Sequence, residues 1–191
     1  LNFGLTFLLA YPLIMLLMTR VEVKEIPKKK IHPGMLIALL PMGYALMIIF
    51  NIIGLLINIQ IGKLTGKGIV NPIVNAIGGM NVWTQVMIVI IIGPILEELI
   101  FRKFVIDRVN KYGELLAVMT SALMFGLFHG NFAQFFYAFA LGVYFAYIYM
   151  RTGRIRYTIY IHMFINGVSA NASEVLRELN NKGYLVYYYN T

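Results

Sequence analysis

The sequence predicts an all-α fold, a polytopic transmembrane helical bundle, and three observations predict it. The chain of 191 residues is 60% hydrophobic and only 13% charged, which is too little polar surface to cover a soluble globule of that size. Its apolar residues lie in whole stretches close to the length that crosses about 30 Å of hydrocarbon, whereas a soluble core would show stripes. Runs such as 86–92 (VMIVIII) do not alternate, so the short alternating strands of a β-barrel are excluded.

Six apolar spans follow in order. The first, Phe3 to Met18, opens almost at Leu1, so the chain reads as one that starts partway through a longer protein. A signal peptide is disfavoured, because no small-residue cleavage pattern precedes the basic segment after Thr19. The second span is Met35 to Ile61. Gly62, Gly66, Gly68, Pro72, Gly78 and Gly79 then mark a loop or interfacial segment. Val82 to about Val109, Glu114 to His129, Phe132 to Met150 and Ile155 to Ala172 complete the set. The tail YLVYYYNT is aromatic enough for an interface and too short to cross, as a truncated seventh span would be. With no internal repeat and no linker, residues 1–191 read as a single membrane-embedded domain whose motif-bearing core is about 82–172.

Charge sets the expected orientation in the cell membrane. Arg20, Lys24, Lys28, Lys29 and Lys30 fall in the first connection, Lys103, Arg108 and Lys111 in the third, and Arg151, Arg154 and Arg156 in the fifth. All three connections are expected on the cytoplasmic side. The net charge of +8 is thereby accounted for by topology, so no nucleic-acid partner is expected, and membrane lipid is the expected surroundings. The chain has no cysteine, which excludes thiolate ligands, disulfides and a cysteine nucleophile.

Ionisable side chains at membrane depth are costly and usually face a bundle interior or a wet cavity. Here they cluster: Glu97, Glu98 and Arg102 in the third span, His129 at the end of the fourth, His162 and Asn166 in the sixth. Glu98 and Arg102 are four apart and can pair on one helix face, which leaves Glu97, about 100° away, free for another role. His162 and Asn166 share a face, as do Phe125 and His129, where Phe125 reads as packing. A hairpin turning near Gly113 brings Glu97 and His129 to one level, because each lies 16 residues from that turn. His162 meets them only if this hairpin projects about 10 Å further toward the cytoplasm. A carboxylate in an apolar setting can act as general base on water, with an imidazole orienting that water or moving its proton. His162 and Asn166 could donate hydrogen bonds to an oxyanion. The eleven methionines read as core and lipid-facing filler.

The three strings, EExxxR at Glu97, Glu98 and Arg102, FxxxH at Phe125 and His129, and HxxxN at His162 and Asn166, resemble in this order those of the CPBP family of intramembrane proteases, also called the Abi family. The resemblance runs over roughly Val82 to Asn171. It implies a helical bundle with a cavity open to the cytosol that cuts a peptide bond of a membrane-associated or lipidated substrate. It further implies that Glu97 activates water with His129, that His162 and Asn166 form the oxyanion site, and that Glu98 with Arg102 supports the helix. Six clear spans are fewer than the eight-helix type of the larger members.

Rival chemistries remain beside this reading. No cofactor is required by it, yet Glu97, His129 and His162 could ligate one Zn²⁺ in a metalloprotease, although HExxH is absent. Asp107 is the only aspartate and is expected in a basic cytoplasmic loop, which removes a paired-aspartate mechanism. Ser121, Ser169 and Ser173 lack a glycine-flanked nucleophile pattern. A non-catalytic carrier, immunity or scaffold protein on the same fold is the alternative from another class, and the paired, broken halves typical of transporters are not seen.

Overall fold

A computed structural model describes residues 11–66 and 81–181. Residues 3–10 of the first expected span, most of the Gly- and Pro-rich segment, and the aromatic tail lie outside the described residues. Within them every regular element is helical: α1 Tyr11–Met18, α2 Pro33–Thr65, α3 Val82–Tyr112, α4 Glu114–Phe128, α5 Phe132–Thr152 and α6 Ile155–Asn181.

Local chemistry sets several of the ends. The His32 ring accepts from the Gly34 amide at 3.1 Å and Pro33 follows with φ already suited to a helix, so α2 starts there. Asn131 caps α5 by accepting from the Gln134 amide at 2.9 Å. The α3–α4 hairpin turns at Gly113, where φ is 127°.

Helix α3 is not uniformly α. Val86–Ile92 and Leu99–Ile106 wind in the wider i→i+5 π pattern, and Asn110–Tyr112 tightens to a 3-10 turn. The helix also runs further than the sequence predicts. Lys103, Asp107 and Arg108 belong to it, so the third connection shrinks to Gly113. Asp107 is therefore no loop residue: it is buried, accepting from Lys103 at 2.6 Å and from the Tyr149 hydroxyl at 2.9 Å.

The interior lies where α5 packs along α2 and α4. Phe101, Phe125, Leu141, Phe145, Ile161 and Ile165 fill its main cluster, and Ile106, Ala117, Ala146 and Tyr149 a second one. Helices in lipid gain little from apolar contact alone and pack through small residues. Gly142 of α5 does this against Ala122 of α4, since a Cβ on Gly142 would lie 2.8 Å from the Ala122 Cα. The outer faces are apolar as well: Leu115, Met119, Leu123 and Leu127 form an exposed stripe along α4 at helical spacing. In water such a stripe would be a liability, whereas against lipid tails it is the expected surface.

Among the described residues three helices, α2, α3 and α5, are long and apolar enough to cross a membrane. The 15-residue α4 is apolar but spans only about 22 Å, and α6 carries Thr158, His162, Asn166 and Ser169 along its length. The connection between α1 and α2 lies across the helix ends. The Lys24 amide donates to the Asp107 carbonyl at 2.7 Å, Asn110 Nδ2 to the Lys24 carbonyl at 2.6 Å, and the Lys29 amide to the Thr152 carbonyl at 2.8 Å. These bonds gather the three basic groups read from the sequence at one end of the bundle.

Candidate active site

Glu97 and Glu98 sit on the short α-helical turn Gly93–Glu98 between the two π stretches of α3. Glu98 is completely buried, with Oε1 hydrogen-bonded to His162 and Oε2 facing the Arg102 charge without hydrogen-bond geometry. Oε2 lies 3.1 Å from Arg102 Nε, one helical turn on, and Oε1 lies 3.0 Å from His162 Nδ1 of α6. Arg102 is itself fully buried, with its guanidinium 4.5 Å from the Phe125 ring centroid and 5.2 Å from that of Phe145. Aromatic faces favour a desolvated cation, so these rings supply part of what water would have given. Phe125 thus holds the cation of the site as well as packing, a role that spacing alone does not reveal.

The second nitrogen of His162 adds a contact that the sequence does not predict. Nε2 lies 3.6 Å from Glu97 Oε2, so one imidazole bridges both glutamates. One ring reaches both neighbouring carboxylates because its two nitrogens flank Cε1 and each faces its own glutamate. Glu98, ionised beside Arg102, can only accept, so His162 Nδ1 carries a hydrogen. Glu97 is the open member: its side chain is 21% exposed, against 4% for His162.

His129 ends α4. Its Nδ1 lies 2.9 Å from the Phe125 carbonyl oxygen, an atom that can only accept, so Nδ1 bears the hydrogen and Nε2 keeps a free lone pair. The ring stands edge-on to Phe125 at 5.0 Å and lies within electrostatic range of Glu97 and His162. Phe145, which belongs to none of the three motifs, stacks on His162 at 5.0 Å with the planes 28° apart. Its place on α5 carries no polar pattern that a sequence reading could detect.

Asn166 Nδ2 donates to the Val89 carbonyl at 2.9 Å. Backbone chemistry explains why that oxygen is available. In the π register the Gly93 N–H is spent on the Ile88 carbonyl, and the next donor in line for Val89 would be residue 94, a proline without an N–H. The close approach at Gly93 excludes a side chain, since a Cβ there would lie 2.8 Å from the Ile88 oxygen. Half of the Asn166 amide is therefore engaged with α3. Of the serines, Ser121 donates to the Phe101 carbonyl at 2.8 Å and Ser169 to the Ile165 carbonyl at 2.8 Å, both in helix contacts.

A metal would need at least three converging donors. Among the described residues no group of three His, Cys, Asp or Glu side chains is gathered closely enough to hold one.

Comparison with known proteins follows this geometry. Residues 79–168 match the family described as type II CAAX prenyl endopeptidase Rce1-like. The chain is 32% identical over 157 residues to the membrane-embedded CAAX protease MroQ of Staphylococcus aureus, a match covering 76% of this chain and 59% of that protein. It is also 38% identical over 77 residues to YdiL of Bacillus subtilis, described as a candidate membrane peptidase, covering 40% of this chain and 32% of YdiL. The chain thus spans well under two thirds of either relative. No solved structure matches it significantly. All six polar residues of the three motifs fall inside the matched stretch, and over it this chain is similar to the Rce1-like CAAX endopeptidases.

Proposed function

We propose that this chain carries the catalytic core of an intramembrane endopeptidase, in which Glu97 is the general base that activates water against a peptide bond of a membrane-associated or lipidated substrate. The observation that carries the reading is the bridge of His162 between Glu98, at 3.0 Å, and Glu97, at 3.6 Å. Glu98 is fully buried, held by the Arg102 charge at 3.1 Å and by His162 at 3.0 Å. Glu97 is partly exposed, and its separation from Nε2 is longer than a hydrogen bond, so a water can approach its carboxylate.

In the proposed step Glu97 takes a proton from water while the water oxygen bonds to the carbonyl carbon, whose π pair moves onto the oxygen. His162 Nε2–H and the second N–H of Asn166 donate to that oxyanion. Collapse breaks the C–N bond, and the leaving nitrogen receives the proton from Glu97. The free Nε2 lone pair of His129 lies within the range of Glu97 and holds or relays this proton. The reaction consumes one water, yields a carboxyl and an amine, and calls for no metal.

The family and the name of MroQ support a CAAX-type, lipid-bearing substrate. The basic end of the bundle supports a multi-pass orientation with that end toward the cytoplasm. The test is purified protein in detergent with a lipidated peptide, comparing wild type with Glu97→Gln and His129→Ala. Cleavage by wild type alone is the expected result, and equal cleavage by the variants overturns the assignment.

A further inference from the structure

Beside His129 lies a chain of amides whose orientations can be worked out one after another. The backbone N–H of Gln134 donates to Asn131 Oδ1 at 2.9 Å, which fixes the Asn131 amide. Its Nδ2 then donates to the His129 carbonyl at 3.0 Å and to Gln134 Oε1. Because Oε1 faces Asn131, the Gln134 group facing Tyr137 is Nε2, 2.6 Å from the hydroxyl oxygen. An amide nitrogen only donates, so the Tyr137 oxygen accepts this bond and its own hydrogen is turned elsewhere.

The site lies beside this hydroxyl. The Tyr137 ring lies 6.4 Å from that of His129, and the residue is within electrostatic range of Glu97. Gln134, the anchor of the chain, is buried. The donors read from the sequence are meanwhile partly spent: Asn166 gives one N–H to Val89, and both nitrogens of His162 face glutamates.

We propose that Tyr137, outside all three motifs, is a further hydrogen-bond donor of the catalytic cleft, giving its O–H to the scissile carbonyl oxygen as negative charge develops there. The proton stays on the phenol throughout, so no extra acid or co-reactant is required. Stabilisation realised only in the transition state raises kcat and leaves KM nearly alone.

This inference rests on the protease reading, and its test separates the two. Cleavage of a lipidated peptide is measured across pH for wild type, Tyr137→Phe and Glu97→Gln in detergent, with thermal unfolding recorded for each. The phenylalanine variant is expected to unfold somewhat below wild type, because Gln134 Nε2 loses its acceptor, while remaining folded at the assay temperature, to lose about 10²-fold in kcat, and to keep KM within about twofold and the pH profile in place. Full activity of that variant overturns the inference while leaving the protease reading intact. So does a rise in KM alone. A displaced pH profile overturns it too, because it would mean the hydroxyl serves Glu97 instead. A wild type without cleavage overturns both readings.

Discussion

The side-chain amide of Asn166 completes the hydrogen bonding of Val89, whose carbonyl oxygen it meets at 2.9 Å across two helices. The need arises from Pro94, which brings no N–H to the π register. Asn166→Leu should therefore leave a part-buried carbonyl without its donor and lower stability by about 1 kcal/mol. In a Pro94→Ala background, where residue 94 regains its N–H, the same change should cost less. Thermal unfolding of the four proteins of this cycle in detergent is the measurement, and equal losses in both backgrounds would refute the account.

Glu98 and Arg102 form a fully buried pair at 3.1 Å. Removing one partner strands the other charge, so Arg102→Met alone should destabilise by about 3–5 kcal/mol, whereas Glu98→Gln combined with Arg102→Met should cost less than either single change. Arg102→Lys should behave as a loss as well, because a point ammonium cannot lie flat against Phe125. Denaturation midpoints check the order of the four variants.

Glu97 differs from its neighbour in being partly exposed. Glu97→Gln is expected to leave the melting temperature near that of wild type while lowering cleavage by about 10²- to 10⁴-fold. A variant that loses both together would mark Glu97 as part of the scaffold.

Chelation tests the donor arithmetic. With Glu97, His129 and His162 not gathered as a metal site, a strong chelator should leave cleavage unchanged. Loss of activity that returns with added zinc would restore the metalloprotease alternative.

Gly142 tests the α4–α5 seam. A Cβ there would meet the Ala122 backbone at 2.8 Å, so Gly142→Leu should force the helices apart and abolish the folded species. Size-exclusion chromatography in detergent would report a monodisperse protein if the seam tolerates the change.

Much of the architecture was legible because it depends on composition and local signals. Apolar length located α2 to α6 to within a few residues at most ends, Gly113 located the hairpin, and a spacing of four paired Glu98 with Arg102. What escaped depends on departures from ideal helices or on distant contacts. Arithmetic at 3.6 residues per turn has no place for two π stretches, so the partner of Asn166 was invisible. Asp107 looked like a loop residue because its ties to Lys103, Tyr149 and the Lys24 backbone join three parts of the chain. Tyr137 and Phe145 resembled the other aromatics of α5, and only packing separates them. From the sequence Phe125 reads as packing alone, because cation–π contact leaves no periodic trace.

The groups that cover the charged face of α3 all come later in the chain: Phe125 on α4, Phe145 on α5, His162 and Asn166 on α6. During synthesis the ribosome therefore delivers Glu97, Glu98 and Arg102 to the bilayer before any of these partners exists. The pair within one helix turn lets α3 enter as a nearly balanced segment, with Glu97 and the Val89 carbonyl still waiting. No nascent chain halted before α6 can hold both glutamates against one imidazole, so competence arrives with the last described helix and not before.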